Sequence, residues 1–481
     1  MWRYTLYIVL LITGVLPFQL WGQAPDTTTV QLNQERFLEW VLQHHPLVRQ
    51  ANLIPVNADA QLMEARGAFD PKAYADWEVK SFDGKSYFNI ADGGIKYPTW
   101  FGLELKGAWE QTSGIFLNPE RNLPARGQAV LGVKASVLRG LMIDDRRANL
   151  RIAQIEQNRS NAIRQADINM LLLEALYVYW DWSIAYQKIS LFREALNTTA
   201  NRLEGIRESF LAGNKPEVDT VETMIQLQER EFDLNQATID FNNAGLALSN
   251  FLWYQGVEPM RVADNVVPNA PFWLTADNLP TANEILSSLI LQHPELQSLQ
   301  LELDQLDIKR KLAAEQLKPK LDVEYNFLGN GSNFNPAPSG NGDAAFQDLF
   351  AQNYKWGLQF SFPLFLRKAR GKLEQNKVKV LQTEFKLQQK QRDLANKVRQ
   401  YTRELQNARD QIVLYTQTVA NYSRLLEAEI YKFEQGSSSI FLINSREQKL
   451  LDAQIKLAEL EGKFWQKRAS LQYASGSIVA N

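Results

Sequence analysis

The sequence contains few side chains whose type and spacing could support catalysis or metal binding. It has no cysteine, which excludes thiolate metal sites, disulfides and a lipid-modified N-terminal cysteine. Its three histidines form no zinc-type pair, and His45 and His293 each precede a proline, which indicates a helix break. Neither a nucleophile elbow nor a phosphate-binding glycine loop is present. We therefore expect no enzyme activity, no cofactor and no metal.

Two carboxylates, Asp219 and Glu222, follow Pro216 at the start of an expected helix. Proline is favoured in the first turn of a helix, and the helix macrodipole stabilises carboxylates there. Asp219 is therefore placed as a helix-start carboxylate. Any further role depends on the elements that position it.

Those elements occur twice along the chain. The segment FLEWVLQHHPLVRQANL returns as ILSSLILQHPELQSLQL, so that His45-Pro46 matches His293-Pro294. In each copy a stretch of alternating apolar and polar residues follows, such as AYADWEVKSF and LDVEYNFLG, which predicts strands with two different faces. We expect a first repeat at 30–254 with strands at about 70–138. The second repeat is expected at 283–475, with strands at about 320–365.

Each repeat continues into a very long helix, expected at about 144–210 and about 368–434. Apolar residues step by threes and fours along both helices at one common offset, which is the heptad pattern of coiled coils. Both helices end before a glycine, in Phe210-Leu-Ala-Gly213 and Phe433-Glu-Gln-Gly436, and a return helix follows at about 217–254 and about 440–474. At 1.5 Å per residue the long helices span about 100 Å, which suits a tube and not a globular domain.

The remaining segments limit where the protein can reside and which partners it can have. Residues 1–22 are expected to be a secretory signal peptide, with Arg3 before an apolar run from Leu6 to Leu20. A Pro-rich linker at 255–282 is expected to lie at the equator between the repeats. No later segment approaches twenty apolar residues, so no spanning helix is expected. The net charge of −2 argues against a nucleic-acid partner.

The strands must close a barrel if they lie in lipid, because open sheet edges are not tolerated there. Two strand pairs cannot close alone, so we expect three chains with four strands each in a 12-stranded barrel. The first repeat has about twenty additional residues, including YFNIADGGIKYPTW, which form either a longer extracellular hairpin or an additional hairpin near the membrane base. The tryptophans of the strands form either an interfacial girdle or ordinary sheet packing. These are Trp77, Trp100, Trp109 and Trp356.

On these residues the chain resembles the TolC family of outer-membrane efflux proteins, from about Leu32 to Ser477. The duplicated order of elements carries the resemblance, together with QHPEL, FSFPLF and a tip pattern that includes Gly213 and Asp219. The resemblance implies an α+β membrane protein: a trimeric 12-stranded β-barrel continuous with a long periplasmic α-helical barrel, built from two repeats per chain. It also implies a homotrimer in outer-membrane lipid, a periplasmic adaptor (membrane fusion) protein and an inner-membrane pump of the RND, ABC or MFS type.

The resemblance further implies which residues form the periplasmic tip. Asp219 and Glu222 are candidates for the constriction, since Leu442 takes the position of Asp219 in the second repeat. Adaptor docking is expected at the two tip turns. The residues concerned are Phe210, Gly213, Val218, Phe433, Gly436 and Ile440. Two other classes stay open: a secreted coiled-coil structural protein or adhesin without a pore, and a periplasmic adaptor.

Overall fold

We describe the protein from a computed structural model, which covers residues 29–255, 258–263, 265–269, 281–329, 353–476 and 478. The expected signal peptide and most of the Pro-rich linker lie outside these residues, as does the Gly/Pro/Asn-rich segment 330–346. None of the helices in these ranges combines the length and apolar character that crossing a membrane requires.

The described chain is an α+β structure dominated by helices. In chain order its elements are β1 (Val30–Leu32), α1 (Gln34–His44), α2 (Pro46–Gly67), β2 (Lys72–Phe82), β3 (Lys85–Pro98), β4 (Leu103–Ser113), β5 (Gln128–Ser136), α3 (Asp145–Leu211), α4 (Glu217–Ser249), β6 (Trp253–Tyr254), β7 (Glu258–Pro259), β8 (Val266–Pro268), α5 (Ala282–Gln292), α6 (Pro294–Glu315), β9 (Lys320–Leu328), β10 (Tyr354–Ser361), α7 (Arg367–Glu434) and α8 (Ile440–Ser475). The helix α4 ends at Ser249, five residues before the expected limit, because the chain then enters the short strand β6.

The long helices α3 and α7 contain 67 and 68 residues and bury the side of the helix that the heptad pattern marks. In α3 the buried side includes Ala175, Trp182 and Leu203, and in α7 it includes Leu394 and Val398. Apolar burial at this spacing joins one helix to the next along its length.

Helix contacts place the helices side by side in a single layer. Nearer the sheet, α2 packs on α3, α3 on α6, and α6 on α7; nearer the glycine turns, the order is α4, α3, α8 and α7. Each level is therefore four helices wide within one chain. One open edge is formed by α2 and α4, and the other by α7.

Both His-Pro pairs break a helix, as the sequence indicated. His45 separates α1 from α2, and His293 separates α5 from α6. His45 has φ −70° and ψ 134°, and its Nδ1 accepts the Leu47 N–H at 3.2 Å. Burial lowers the pKa of both His45 and His293, so both imidazoles are neutral at neutral pH. Both histidines are buried at the N-cap position of the following helix, but only the His45 side chain forms a cap hydrogen bond.

The N-terminal strand and the described part of the linker meet halfway along α3. Strand β8 pairs in parallel with β1, and the Tyr179 hydroxyl donates to the Leu32 carbonyl at 2.9 Å. The Trp40 indole donates to the Trp253 carbonyl at 2.9 Å. These contacts place both segments at the middle of the helical column.

The strands that follow α2 and α6 form one antiparallel sheet in the order β10-β9-β5-β4-β3-β2. The sequence favoured four strands per chain, whereas this sheet has six among the described residues. The additional residues of the first repeat form a further strand pair, as one of the two expectations allowed, although Asp92-Gly93-Gly94 interrupts the apolar alternation of β3. Gly94 is required there, since a Cβ would overlap the backbone of Gly107 and Ala108.

Candidate functional site

The six-stranded sheet has one continuous apolar face. Residues that pair across neighbouring strands lie on the same side, so the register assigns each side chain to a face. Trp77 lies on the apolar face, and its indole donates to the Asn89 amide oxygen at 2.7 Å on the same side. The apolar face consists of Ala73, Ala75, Trp77, Val79, Ala91, Ile95, Tyr97, Leu103, Leu105, Trp109, Ala129, Leu131, Val133, Ala135, Leu321, Val323, Tyr325, Phe327, Tyr354, Trp356, Leu358 and Phe360.

The opposite face of the same sheet is polar and charged. The carboxylate of Asp322 accepts the Ser136 hydroxyl at 2.6 Å and lies 2.8 Å from the Lys320 ammonium and 3.7 Å from that of Lys134. Further along this face, the Tyr74 hydroxyl donates to Asp92 at 3.2 Å. A sheet with one face for lipid and one for water fits the wall of an aqueous passage through a membrane.

The four tryptophans named from the sequence occupy two kinds of place. Trp77 and Trp356 are 78% and 59% exposed on the apolar face, and Trp109 lies on the same face against Gly127. Trp100 is in the turn between β3 and β4, where its ring meets Phe101 edge-on. Exposed aromatic rings on such a face fit an interfacial belt.

The sheet is joined to the helical column by Arg147, at the start of α3. The guanidinium of Arg147 donates to the carbonyls of Gly140 and Leu141 and pairs with Asp144 at 3.1 Å. A Cβ on Gly102 would meet this guanidinium at 3.3 Å. Arg147 therefore connects the start of α3 to the turn between β3 and β4, a long-range contact with no local signal in the sequence.

At the far end of the column, both repeats make the same turn. The Asn214 N–H donates to Ser209 O at 2.9 Å, and the Ser437 N–H donates to Lys432 O at 2.9 Å. Gly213 and Gly436 occupy the left-handed position between them, with φ of 76° and 73°. Both turns are Schellman motifs, in which glycine avoids the steric cost of a Cβ.

The named tip residues differ in how far they reach the surface. Val218 is 63% exposed and Phe210 is 38% exposed, whereas the Phe433 ring lies under the Lys215 ammonium at 3.8 Å. Ile440 is 1% exposed, so its side chain packs within the chain and is removed from the docking surface that the sequence indicated. Two neighbours not named from the sequence, Leu211 and Phe441, are 84% and 64% exposed.

Asp219 and Glu222 lie in the first two turns of α4. Within the described part of the chain, neither carboxylate forms a hydrogen bond or an ion pair. A capping box is ruled out for Asp219, because the N-cap residue is Pro216, which has no N–H to receive it. The macrodipole is thus the one local interaction that remains for Asp219.

Two ion pairs near the tips were not foreseen. Arg202 of α3 donates to Glu447 of α8 at 2.7 Å and to the Asn444 amide oxygen at 3.3 Å. Glu429 of α7 accepts the Ser438 hydroxyl at 2.6 Å and lies 3.6 Å from Arg446. Glu429 is the polar residue that interrupts the apolar heptad positions of α7. This interruption was the one signal in the sequence for the ion pair.

The described chain thus combines a column of helices about 100 Å long with a two-faced sheet at one end and paired Schellman turns at the other. Residues 285–477 match the family described as Outer membrane efflux protein. No curated protein sequence matches the chain.

Solved structures share the fold over most of the chain. The CmeC outer membrane channel of Campylobacter jejuni is 14% identical with a TM-score of 0.64, covering 92% of this chain and 85% of that one. The outer membrane protein VceC of Vibrio cholerae is 14% identical with a TM-score of 0.63, covering 92% and 96%. The open state of the MtrE outer membrane channel of Neisseria gonorrhoeae is 14% identical with a TM-score of 0.65, covering 92% and 88%.

The resemblance to the TolC-like outer-membrane efflux proteins is therefore confirmed, by sequence over residues 285–477 and by fold over the described chain. The predicted outer-membrane location agrees with the description of the family that residues 285–477 match. The barrel, the number of copies and the coupling to other proteins belong to the proposal that follows.

Proposed function

We propose that the protein is the outer-membrane channel subunit of a tripartite efflux or type I secretion system. It acts as a passive exit duct without enzyme activity. Three copies close the duct, and a periplasmic adaptor couples it to an inner-membrane pump of the RND, ABC or MFS type. The observation that carries this proposal is the two-faced sheet, placed on the same long helices that end in paired turns about 100 Å away.

The open edges of the helical layer support closure by further copies. Six apolar side chains on α4 are each more than half exposed, and they follow one side of the helix at heptad spacing. We call them the α4 stripe: Val218, Val221, Ile225, Phe232, Ile239 and Leu246. The opposite edge, α7, also exposes apolar residues: Val413 and Leu414 in the half nearer the glycine turns, level with α4, and Phe385 in the half nearer the sheet, level with α2. A second copy that places its α7 along this α4 and α2 buries these side chains.

Closure by three copies gives a wall twelve helices wide, because each level of one chain contributes four. This number agrees with the helical barrel that the family resemblance implies. The polar face of the sheet then lines the interior and the apolar face meets lipid, as expected of a membrane barrel.

The channel is tested by reconstitution. The protein purified from outer membranes in mild detergent is expected to be a trimer and to conduct ions in planar bilayers. A pore built on a polar sheet face requires both results. A protein that stays monomeric and shows no conductance would contradict the proposal and favour the coiled-coil structural protein without a pore.

We further propose that the adaptor docks on the two tip turns, because they are the exposed end of the column opposite the sheet. Gly213→Val and Gly436→Val each force a β-branched residue to positive φ, at a cost of about 1–2 kcal/mol. A Cβ at either glycine has no neighbour within 4 Å, so the backbone conformation alone is tested. Export by a deletion strain carrying either variant should fall while the trimer persists.

The matched controls are Gly213→Asn and Gly436→Asn, since asparagine tolerates the left-handed conformation. They should restore most of the export. If the valine variants export as well as the unaltered protein, the tip turns are not the docking surface.

A further inference from the structure

Among the described residues, the sheet of one chain has two unpaired edges, β2 and β10. Six antiparallel strands make these edges run in opposite directions. When a second copy is placed beside the first, its β10 is therefore antiparallel to β2 and able to complete the ladder of backbone hydrogen bonds. We call β2–β3 the additional hairpin, because β3 contains most of the additional residues of the first repeat. This hairpin determines which strand is the free edge of the sheet, since without it the free edge would be β4.

The helices below the sheet place these two edges together. Strand β2 follows directly from α2, after four residues, and β10 leads directly into α7. In the proposed closure, α2 and α7 of neighbouring copies are the edges that meet. Exposed apolar residues on α2, including Leu53, Val56 and Met63, fit this contact. The proposed contact between copies therefore extends from the helices α2 and α7 into the strands β2 and β10.

The side chains of the additional hairpin continue both faces of the sheet. On β2, Trp77 and Val79 lie on the apolar face, whereas Asp76 and Glu78 lie on the polar face. On the polar side, the Lys96 ammonium lies 4.3 Å from the Tyr74 ring, which links β3 to β2. A hairpin outside the membrane would not require this alternation in phase with its neighbours.

The two ends of the hairpin are also fixed. Asp83 and Gly84 form a two-residue turn with φ of 55° and 67°, the conformation that matches the twist of paired strands. At the helix end, β3 pairs with β4 through Pro98 and Glu104, and Glu104 lies 3.6 Å from the guanidinium of Arg146 at the start of α3. The hairpin is thus paired, along β3, with a strand that is itself fixed to the start of α3.

We infer that the additional hairpin is part of the barrel wall, and that β2 of one copy pairs with β10 of the next. With the proposed trimer, six strands per copy give an eighteen-stranded barrel in place of the twelve expected from the resemblance. Barrel diameter grows roughly linearly with strand number, so this barrel is about 1.5 times as wide. The inference rests on the proposed trimer and goes beyond it by naming the edge through which copies bind.

Cross-linking tests the seam directly, since the chain has no native cysteine. Cysteine is introduced at Leu358 on β10 together with one position on the apolar face of β2, in a small panel of Ala73, Ala75 and Trp77. Opposed residues on one face have Cβ atoms about 4.5–5.5 Å apart, within reach of a short thiol-specific cross-linker. At least one pair should give covalent dimers and trimers from intact membranes, and the single variants should give neither.

The control experiment combines Leu358→Cys with Leu105→Cys on β4. Strand β4 is the free edge of the sheet if the hairpin lies outside the barrel wall. Cross-linking through β4 alone, or through neither strand in a conducting trimer, would overturn the inference and leave the channel proposal intact. Absence of any trimer would instead count against the proposed function.

A second readout does not depend on register. Val79→Cys, labelled with a fluorophore, should be quenched by lipids that carry a quencher in their acyl chains. Glu78→Cys should react with a charged thiol reagent from water. If both positions react equally with the aqueous reagent, the hairpin is not part of the wall.

Discussion

The return helices α4 and α8 hold corresponding places in the two repeats but differ in how the chain covers them. The helix α8 lies between α3 and α7 and buries thirteen residues, whereas α4 packs mainly on α3 and buries four. The tips show the same difference. Ser439 caps α8 by accepting the Leu442 N–H, while Pro216 begins α4 without a side-chain cap.

This difference shows which parts of the duct one chain completes by itself. The helix α8 is held by Arg202 and by the side chains of α7, so its position is set before any second copy arrives. The helix α4 retains an exposed apolar stripe and two carboxylates without partners in the described chain. Assembly and gating are therefore expected to depend on α4, and the stability of the single chain on α8.

The largest effect is expected from a charge in the α4 stripe. Phe232, which is 71% exposed in one chain, should be buried against a neighbouring copy. Phe232→Glu removes about 1.5–3 kcal/mol of apolar burial at each of the three interfaces and adds the cost of a buried charge. The trimer should dissociate in mild detergent, as measured by light scattering, while the helical content of the chain is retained.

The control is Thr238→Glu, which places the same charge at an exposed position on another side of α4, about 100° around the helix from Ile239. It should leave the trimer intact. Equal loss of trimer in both variants, or in neither, would remove the stripe from the interface and with it the contrast between α4 and α8.

A smaller effect, on the pH dependence of stability, is expected within α8. Burial raises the pKa of Glu461 to about 7, and its Oε1 has no hydrogen-bond partner among the described residues. Between the unfolded pKa of 4.5 and this value, the folded chain binds the extra proton, so stability falls as pH rises through that window. Because the side chain is partly exposed, solvent screening leaves about 1–2 kcal/mol of the effect.

Glu461→Gln should flatten the thermal midpoint of the protein between pH 5 and pH 7. Glu459 on the same helix is the control, because its pKa is lowered chiefly by the hydrogen bond from Lys188 at 2.7 Å. The stability that this pair contributes is lost only as pH falls below the unfolded value, so Glu459→Gln should leave the slope from pH 5 to pH 7 unchanged. A slope that persists in Glu461→Gln would show that another group titrates.

The features that the sequence predicted are those with local causes. Heptad spacing and a glycine at positive φ are determined within a few residues, so the long helices and the turns at Gly213 and Gly436 were accessible. The number of strands was not accessible in this way. Gly94 interrupts the alternation that marks β3, and this glycine is required only because the backbone of β4 lies next to it. The burial of Ile440 and the pairing of Arg202 with Glu447 depend on residues more than two hundred positions away or on the packing of whole helices.

The smallest effect on stability, and the most specific effect on function, is expected at Asp219. Its counterpart at the start of α8 is Leu442, so only the first repeat offers a carboxylate here. We propose that three copies of Asp219, with Glu222 beside them, face the axis and form the periplasmic constriction. Like charges in one ring attract cations and disfavour joint ionisation. Asp219→Asn should then reduce cation selectivity and weaken block by multivalent cations in single-channel recordings.

Glu217 provides the comparison, because it lies in the same first turn of α4 and experiences the same macrodipole. If Asp219 is a helix-start carboxylate only, Asp219→Asn and Glu217→Gln should each lower stability by about 0.3–1 kcal/mol and leave conductance unchanged. If Asp219 lines the constriction, the two variants separate: stability falls similarly in both, but selectivity and block change in Asp219→Asn alone. Recordings with multivalent cations on the periplasmic side distinguish these outcomes, since a group that contributes only to the helix dipole does not bind an ion in the pore.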